Sequence, residues 1–334
     1  MELKITPYSP GDNEQALAVE ELCPQGGELS LRFRRHRFET RSSVYERSVI
    51  FCAKAEGVVV GVAAGALKQV RLHGKKVRAL YGYDLRVHPE YRRHGTARKL
   101  TQAVIEELSP AGCVYSYIAG ENVRALQFTK RNFGARSMID LQYLVIPVYR
   151  RKSGGEKAEV VPASSVREAC LGGKRDYELI PDVANELMHG HVASLVVKPD
   201  AAGGSIWSNE SLLAEEIARL PMSLRVLRCL SVPLFPLHLC PEIPGKGMQV
   251  RSLFVYNLFA HAATDLRELL SAVNNLALAA DRTFIFILLQ GGDPLVGLVR
   301  EAGFRFLTVP YVFLAKGEDV PLPTERLFID VRDL

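Results

Sequence analysis

The chain lacks most of the features that settle a protein's class at a glance. Its six cysteines (Cys23, Cys52, Cys113, Cys170, Cys229 and Cys240) form no C-x-x-C pair, and none stands at metal-ligand spacing from a histidine. They read as buried small hydrophobes in a reducing compartment, which excludes a disulfide scaffold and predicts no metal. No apolar run approaches the ~20 residues of a membrane helix, so no membrane partner is expected. The opening MELKITPYSPGDNEQ has no basic start followed by an apolar core, so a signal peptide is not predicted and a cytoplasmic location is. An excess of one charge is missing as well: the net +5 is mild and diffuse, and does not point to nucleic acid. Apolar residues, by contrast, make up 48%, enough for two cores, and 334 residues suit two domains.

The most informative stretch is Ala79–Leu108, ALYGYDLRVHPEYRRHGTARKLTQAVIEEL. It reads as an apolar strand, a short basic loop with one glycine, and a helix. Ala97, Leu100, Thr101, Val104, Ile105 and Leu108 recur at helical spacing, while Arg98, Lys99, Gln102, Glu106 and Glu107 fill the other face. The loop Arg92, Arg93, His94, Gly95, Thr96, Ala97 therefore sits on a helix N-terminus, where free N–H groups and the positive dipole end favour anions. A glycine there lets backbone approach a phosphate closely. The physical reading is a pyrophosphate cradle.

Strand–[Gln/Arg]-x-x-Gly-x-[Gly/Ala]–helix resembles the coenzyme A signature of the GNAT acyltransferases, matched here by Arg92, Gly95 and Ala97. The preceding Leu85, Val87 and Pro89 resemble that family's central strand. Downstream, CVYSYIAGENVRALQFTKRNFGAR (113–136) is similar to the family's fifth strand and the N-x-x-A helix after it, with Asn122 and Ala125 matching. Its close departs from the pattern: Asn132-Phe133-Gly134 stands where Gly-Phe is expected, with Asn132 as a tolerable left-handed cap. Phe128 or Thr129 occupies the place of the tyrosine that protonates the leaving thiolate in many members, so that acid is absent there.

The resemblance implies an α/β (α+β) architecture of two tandem GNAT folds, each a mixed, mostly antiparallel sheet flanked by helices. Residues 1–150 would form an N-terminal domain binding acetyl-CoA, 151–159 a polar linker, and 160–334 a degenerate GNAT-like domain. In the second half Val250–Ala260 reads as a strand, followed by a helix with Leu266, Leu269, Leu270, Val273, Ala277 and Ala280 on one face, a strand Thr283–Gln290, a short helix from Pro294, and a Gly303-Phe304 closure. Its loop HAATD (His261–Asp265) lacks arginine and glycine, and Asp265 would repel a phosphate. YSYIAGEN, IPVY (Ile146–Tyr149) and LFIDVRDL (327–334) resemble strings of the plant HOOKLESS-type N-acetyltransferases and their microbial relatives, in the same order.

By this resemblance the activity is acetyl transfer from acetyl-CoA to an amine, either a small molecule or a protein lysine, by direct attack. The backbone at Leu85, Arg86 and Val87 would polarise the thioester carbonyl, and Arg92–Ala97 with Asn122 would complete the coenzyme site. Asp84 is the carboxylate on the motif strand that could serve as base, with an ion pair to Arg86 or another basic neighbour as the alternative role. Glu121 stands where the neighbouring strand ends. Tyr115 and Tyr117 share a face of the fifth strand and are alternative acids or packing aromatics. Arg32, Arg34, Arg35, Arg37 and Arg41, with Phe33, His36 and Phe38, form the densest basic run. The run predicts a solvated helical face; the alternative is a surface for an acidic acceptor or the coenzyme 3′-phosphate. The rival class is a non-catalytic, regulatory GNAT pair that holds acyl-CoA.

Overall fold

The computed structural model describes residues 2–110, 112–135, 137–172, 177–181, 189–317 and 326–333. Arg136 of the second motif and the closing leucine of LFIDVRDL lie outside them.

The first part of the chain runs β1 (Leu3–Pro7), α1 (Asn13–Glu21), β2 (Gln25–Gly26), β3 (Ser30–Arg34), β4 (Arg47–Ala55), β5 (Val58–Leu72), β6 (Lys75–Val87), α2 (Thr96–Leu108), β7 (Cys113–Ala119), α3 (Val123–Phe133) and β8 (Ser137–Pro147). The rest runs β9 (Glu159–Val160), α4 (Ala163–Gly172), β10 (Ile180–Pro181), β11 (His191–Val197), β12 (Ala202–Trp207), β13 (Ala214–Arg219), α5 (Met222–Ser231), β14 (Gln249–Val250), β15 (Ser252–Ala260), α6 (Ala263–Ala279), β16 (Phe284–Gln290), α7 (Pro294–Glu301) and β17 (Leu307–Gly317). The strands and helices expected from the two motifs and from 250–304 are present within a few residues of their expected ends. The strands between 159 and 219 are additional to those expected from the sequence.

Across the large sheet the strands lie in the order β1, β4, β5, β6, β7, β17, β8, β16, β15, β12, β11, β9, with β10 joined to β5. Among these strands the parallel neighbours are β6 with β7 and β15 with β16; the other pairs are antiparallel. The order reads the same from both edges inward, with α2 and α6, then α3 and α7, in corresponding places. The expected mixed sheet flanked by helices is present, and β17 pairs along its length with β7 on one side and β8 on the other, so the strands of both halves form one continuous sheet. Without β17 both strands would present unpaired backbone edges.

The helices α2, α6 and α7 pack on one face of this sheet. Leu100, Val104 and Leu108 of α2 are buried against β4–β6, and Leu266, Leu269, Leu270 and Val273 of α6 against β12, β15 and β16. A Cβ at Gly65 of β5 would lie 2.4 Å from a Val104 methyl, so glycine is what permits that close approach. The opposite face carries an aromatic layer shared by both halves, including Tyr81, Tyr115, Tyr143, Trp207, Phe254 and Phe313. Over it lies a second sheet, β14-β13-β3-β2, with two strands from each half. Ile217, Leu31 and Val250 of this small sheet pack against Phe284 and Phe286 of β16.

Two expectations about side chains are corrected. The arginine-rich stretch is not a solvated helix: it forms β3 and a 3-10 turn at Phe38–Val44, and Arg35 and Arg41 are buried in ion pairs. Of the cysteines, Cys23, Cys52, Cys113 and Cys170 are buried, but Cys229 is exposed and Cys240 half-buried.

Candidate active site

β6 and β7 hydrogen-bond as neighbours only at Leu80↔Val114 and Tyr81↔Tyr115. Beyond Tyr81 they part, and a cavity of about 1380 Å3 opens between them and under the loop leading to α2. A bulge at Asp84, with φ 51°, breaks the β5–β6 register between Val62 and Ala64. Such a bulge re-aims the strand that follows it, and Leu85, Arg86 and Val87 all line the cavity.

The loop is built as the sequence pattern predicts. Gly95 is the N-cap of α2 with φ 77°, and a Cβ placed there meets no atom within 4 Å, so the space above it is open to a ligand. The first N–H groups of α2 face that space without a side-chain cap. Thr96 is buried, its hydroxyl donating to the Tyr91 carbonyl (3.0 Å), which ties the helix start to the loop. This arrangement fits a pyrophosphate: a glycine cradle, free N–H donors and cations at the rim.

Of the residues expected to hold coenzyme A, Arg92, Arg93, Gly95, Thr96, Ala97 and Asn122 line this cavity together with Leu85–Val87. His94 does not; its side chain is exposed and lies off the cavity wall. The place of Arg92 is also different from a free phosphate ligand. Its Nε donates to the Val87 carbonyl (3.0 Å) and its Nη2 reaches Cys23 Sγ (3.4 Å), so the side chain braces the loop against β6. Asn122 caps α3, its Oδ1 accepting from Ala125 N–H (3.2 Å). The C-cap of α3 is Gly134 in the left-handed region (φ 59°) rather than Asn132, which remains in the helix and donates to the Phe128 carbonyl.

Sequence reasoning missed Arg98, Arg124 and Arg131 on the cavity wall, three more cations whose helical register was visible in the sequence. It also missed Leu314–Lys316 of β17, which reach the wall through long-range pairing and leave no local trace.

Asp84 is not placed as a base. Its carboxyl is paired with Arg35 (2.9 Å), Arg41 (3.2 Å) and Arg86 (3.7 Å), and its side chain is only 1% exposed. Burial by itself would raise its pKa, but the three guanidiniums outweigh burial and hold the carboxyl well below the usual carboxylate range. A carboxylate this stabilised is a poor proton acceptor; the ion-pair alternative is what the structure contains. Arg35 also forks onto Glu20 (2.5 and 2.9 Å), and Arg41 donates to Tyr81 Oη and the Asp333 carbonyl (both 3.1 Å).

The two tyrosines of β7 part company. Tyr115 donates to Asp333 Oδ2 (2.8 Å), within a cluster where Lys68 is paired with Asp330 and Asp333. Tyr117 lines the cavity, and no hydrogen bond of its hydroxyl is found among the described residues. Burial, reinforced by the charge of Asp333, pushes its phenol well above its ordinary pKa, so it carries its proton at neutral pH. Glu121 is exposed and packs against Gly27.

The corresponding cleft between β15 and β16 is nearly closed. Asn257 repeats the bulge (φ 51°), and Tyr83–His88 (YDLRVH) aligns with Tyr256–His261 (YNLFAH), a repeat that the sequence contains and that reading by motif alone overlooked. Leu327, Phe328 and Ile329 fill the split, leaving about 60 Å3. The Leu327 N–H donates to Gln290 Oε1 (3.1 Å), which fixes the plug. Among the described residues no group of three or more His, Cys, Asp or Glu is arranged to hold a metal, and no helix is long and apolar enough to cross a membrane.

Comparison with known proteins agrees with this geometry. The sequence model of the acetyltransferase (GNAT) family matches residues 16–135, which include β6, the Gly95 loop, α2 and β7. Over that segment, about a third of the chain, the sequence is similar to that of the GNAT acetyltransferases. In fold it is similar to N-myristoyltransferase of Saccharomyces cerevisiae, solved with bound myristoyl-CoA, at 12% identity and TM-score 0.58, covering 96% of this chain and 84% of that one. It is also similar to a Pyrococcus horikoshii protein described as an acetyltransferase, at 11% identity and TM-score 0.54, covering 95% and 90%. At such identities the likeness is one of fold. No curated protein matches the chain.

Proposed function

We propose that the chain is an N-acyltransferase that takes an acetyl group from acetyl-CoA and passes it to an amine by direct attack, with the β6–β7 cleft as its single coenzyme site. The observation that carries this reading is the open space over Gly95 at the uncapped N-terminus of α2, joined to a cleft between two parting parallel strands. Gly95, Thr96 and Ala97 would present N–H groups to the pyrophosphate, Arg92 would hold the loop in place, and Arg93 would add charge at the rim. The backbone at Leu85–Val87 would polarise the thioester carbonyl, where aligned donors lower the barrier to attack. Tyr117, protonated and on the cleft wall, would protonate the leaving thiolate; its phenol replaces the one absent at Phe128 and Thr129. Asp84 has no part in this beyond holding β6 and the buried arginines together. Residues 1–150 and 160–334 are read as two GNAT units joined at 151–159, the second without a coenzyme. The HOOKLESS-type likeness and a cytoplasmic location complete the reading.

The second reading, a non-catalytic acyl-CoA-binding pair, is favoured by one observation: the motif carboxylate Asp84 is locked in ion pairs. Calorimetry with acetyl-CoA, coenzyme A and myristoyl-CoA, followed by thiol release over a panel of amines, separates the two. Tight acetyl-CoA binding with amine-dependent thiol release supports transfer; binding without release under any amine supports the second reading; no binding rejects both.

A further inference from the structure

The small sheet over the aromatic layer has two chemically distinct faces. Arg32, Arg34 and Glu216 form its outer side and are paired there, Arg34 Nε to Glu216 Oε2 at 3.0 Å. Strand register places Gln25, Leu31 and Ile217 in one row of the inner side, and Phe33, Glu215 and Val250 in the next. Glu215 is the one ionisable residue in these two rows. It has no ion pair among the described residues, and its single hydrogen bond there is a long one, from Asn209 Nδ2 (3.5 Å). The residue as a whole is half-buried.

Its surroundings are aromatic. Phe33 stands directly across from it, where cross-strand side chains touch. Burial raises the phenols of Tyr143 of β8 and Tyr311 of β17, the charge of Glu215 adds to both, and their rings meet edge to face at 4.9 Å. Arg41, whose charge acts on Glu215, is engaged by Asp84, Tyr81 and Asp333. The Arg86 guanidinium lies 5.6 Å over the Phe33 ring, and Arg86 lines the coenzyme cleft, so Glu215 is one side chain removed from that cleft. The small sheet and α2 are on opposite faces of the large sheet. An acceptor entering under the small sheet would thus meet the thioester from the side away from the pyrophosphate loop.

We propose that Glu215 is the acceptor-binding carboxylate, holding the ammonium of a cationic amine between Phe33, Tyr143 and Tyr311 before it enters the cleft. The inference rests on the transfer reading above and names its acceptor class. An unpaired carboxylate beside aromatic rings suits an ammonium by charge and by cation–π attraction, and disfavours anionic acceptors. Burial pushes the Glu215 carboxyl up to about 7, against the opposing pull of Arg41 and the Asn209 hydrogen bond, so the group ionises near neutrality. Binding of an ammonium draws it to the charged form.

The test titrates the full-length chain, with coenzyme A present so that no acyl group is transferred, using phenethylamine and its uncharged counterpart phenethyl alcohol. Wild type is expected to bind the amine at least tenfold more tightly than the alcohol. E215Q should lose that preference, and E215D should retain part of it. Wild-type affinity for the amine should rise from about pH 6 to about pH 8 as the carboxyl ionises, the amine staying protonated, while E215Q stays flat. Thermal unfolding checks that each variant is folded. Equal amine affinity in wild type and a folded E215Q overturns the proposal, as does a wild type that does not prefer the amine to the alcohol. A separate acetyl-CoA titration addresses the transfer reading: if it fails there, that reading falls whatever the amine arm shows.

Discussion

Where β6 parts from β7, eight residues lead into α2 and a cavity of about 1380 Å3 lies beneath them. Where β15 parts from β16, two residues lead into α6 and about 60 Å3 remains. Both clefts begin with a left-handed bulge on the strand, at Asp84 and at Asn257, and both are backed by a long amphipathic helix. The difference lies in the loop and in what fills the gap. The first loop is long enough to place a glycine and two arginines over the helix N-terminus. The second has no length to do so, and its helix carries Asp265 in the first turn, paired with Lys198 (3.2 Å). Its gap is packed with Leu327, Phe328 and Ile329. A bulged strand and a parting pair thus recur in both halves, but only the longer loop and the unfilled gap leave a large cavity.

The comparison can be broken most severely by separating the halves. A chain ended at Lys157 loses β17 and leaves β7 and β8 without the strand between them, and it also loses the Asp330 and Asp333 partners of buried Lys68. It is expected to lack a cooperative unfolding transition and to aggregate; a soluble fragment with a sharp transition would show that the first half is self-sufficient.

Next in size is Gly95→Glu. The new side chain meets no protein atom, so folding should cost only the ~1–2 kcal/mol of a left-handed non-glycine residue. Acetyl-CoA affinity measured by calorimetry should fall by about a hundredfold or more, since bulk and negative charge occupy the cradle. Wild type should bind one coenzyme per chain; two would mean that the second cleft opens in solution.

Phe328→Ala probes the plug from the other side. It is expected to lower stability by ~3–5 kcal/mol in denaturant titrations, as a large buried aromatic is removed, while coenzyme stoichiometry stays at one. A gain of a second coenzyme would show that the plug alone had closed the cleft.

The smallest effects distinguish the two loop arginines. Arg92→Ala removes the brace to the Val87 carbonyl and should weaken acetyl-CoA roughly tenfold to a hundredfold with little response to salt. Arg93→Ala removes an exposed charge and should cost about 0.2–1 kcal/mol of binding, shrinking at high ionic strength. Equal, salt-sensitive losses would return Arg92 to the role of a phosphate ligand.

The amino-acid sequence by itself determined the local devices. Helical spacing from Ala97 to Leu108, the single glycine before it and the N-x-x-A helix after Asn122 are short-range patterns, and each is present where the residues put it. The lack of arginine and glycine at His261–Asp265 likewise marked the second loop as different. Tertiary structure alone decided the rest, because it depends on residues far apart in the chain. A carboxylate on the motif strand is a base or an anchor according to its neighbours, and Arg35 and Arg41 reach Asp84 from across the sheet. Tyr115 and Tyr117 are alike in sequence, yet Asp333 takes the hydroxyl of one and leaves the other at the cleft. The basic run from Arg32 to Arg41 has the composition of a solvated face, but buried acidic partners draw two of its members inward. Strand exchange through β17 has no local signature, since any half-buried strand can pair with either edge; only the register of Phe313 against Tyr117 and Ile139 shows where it belongs.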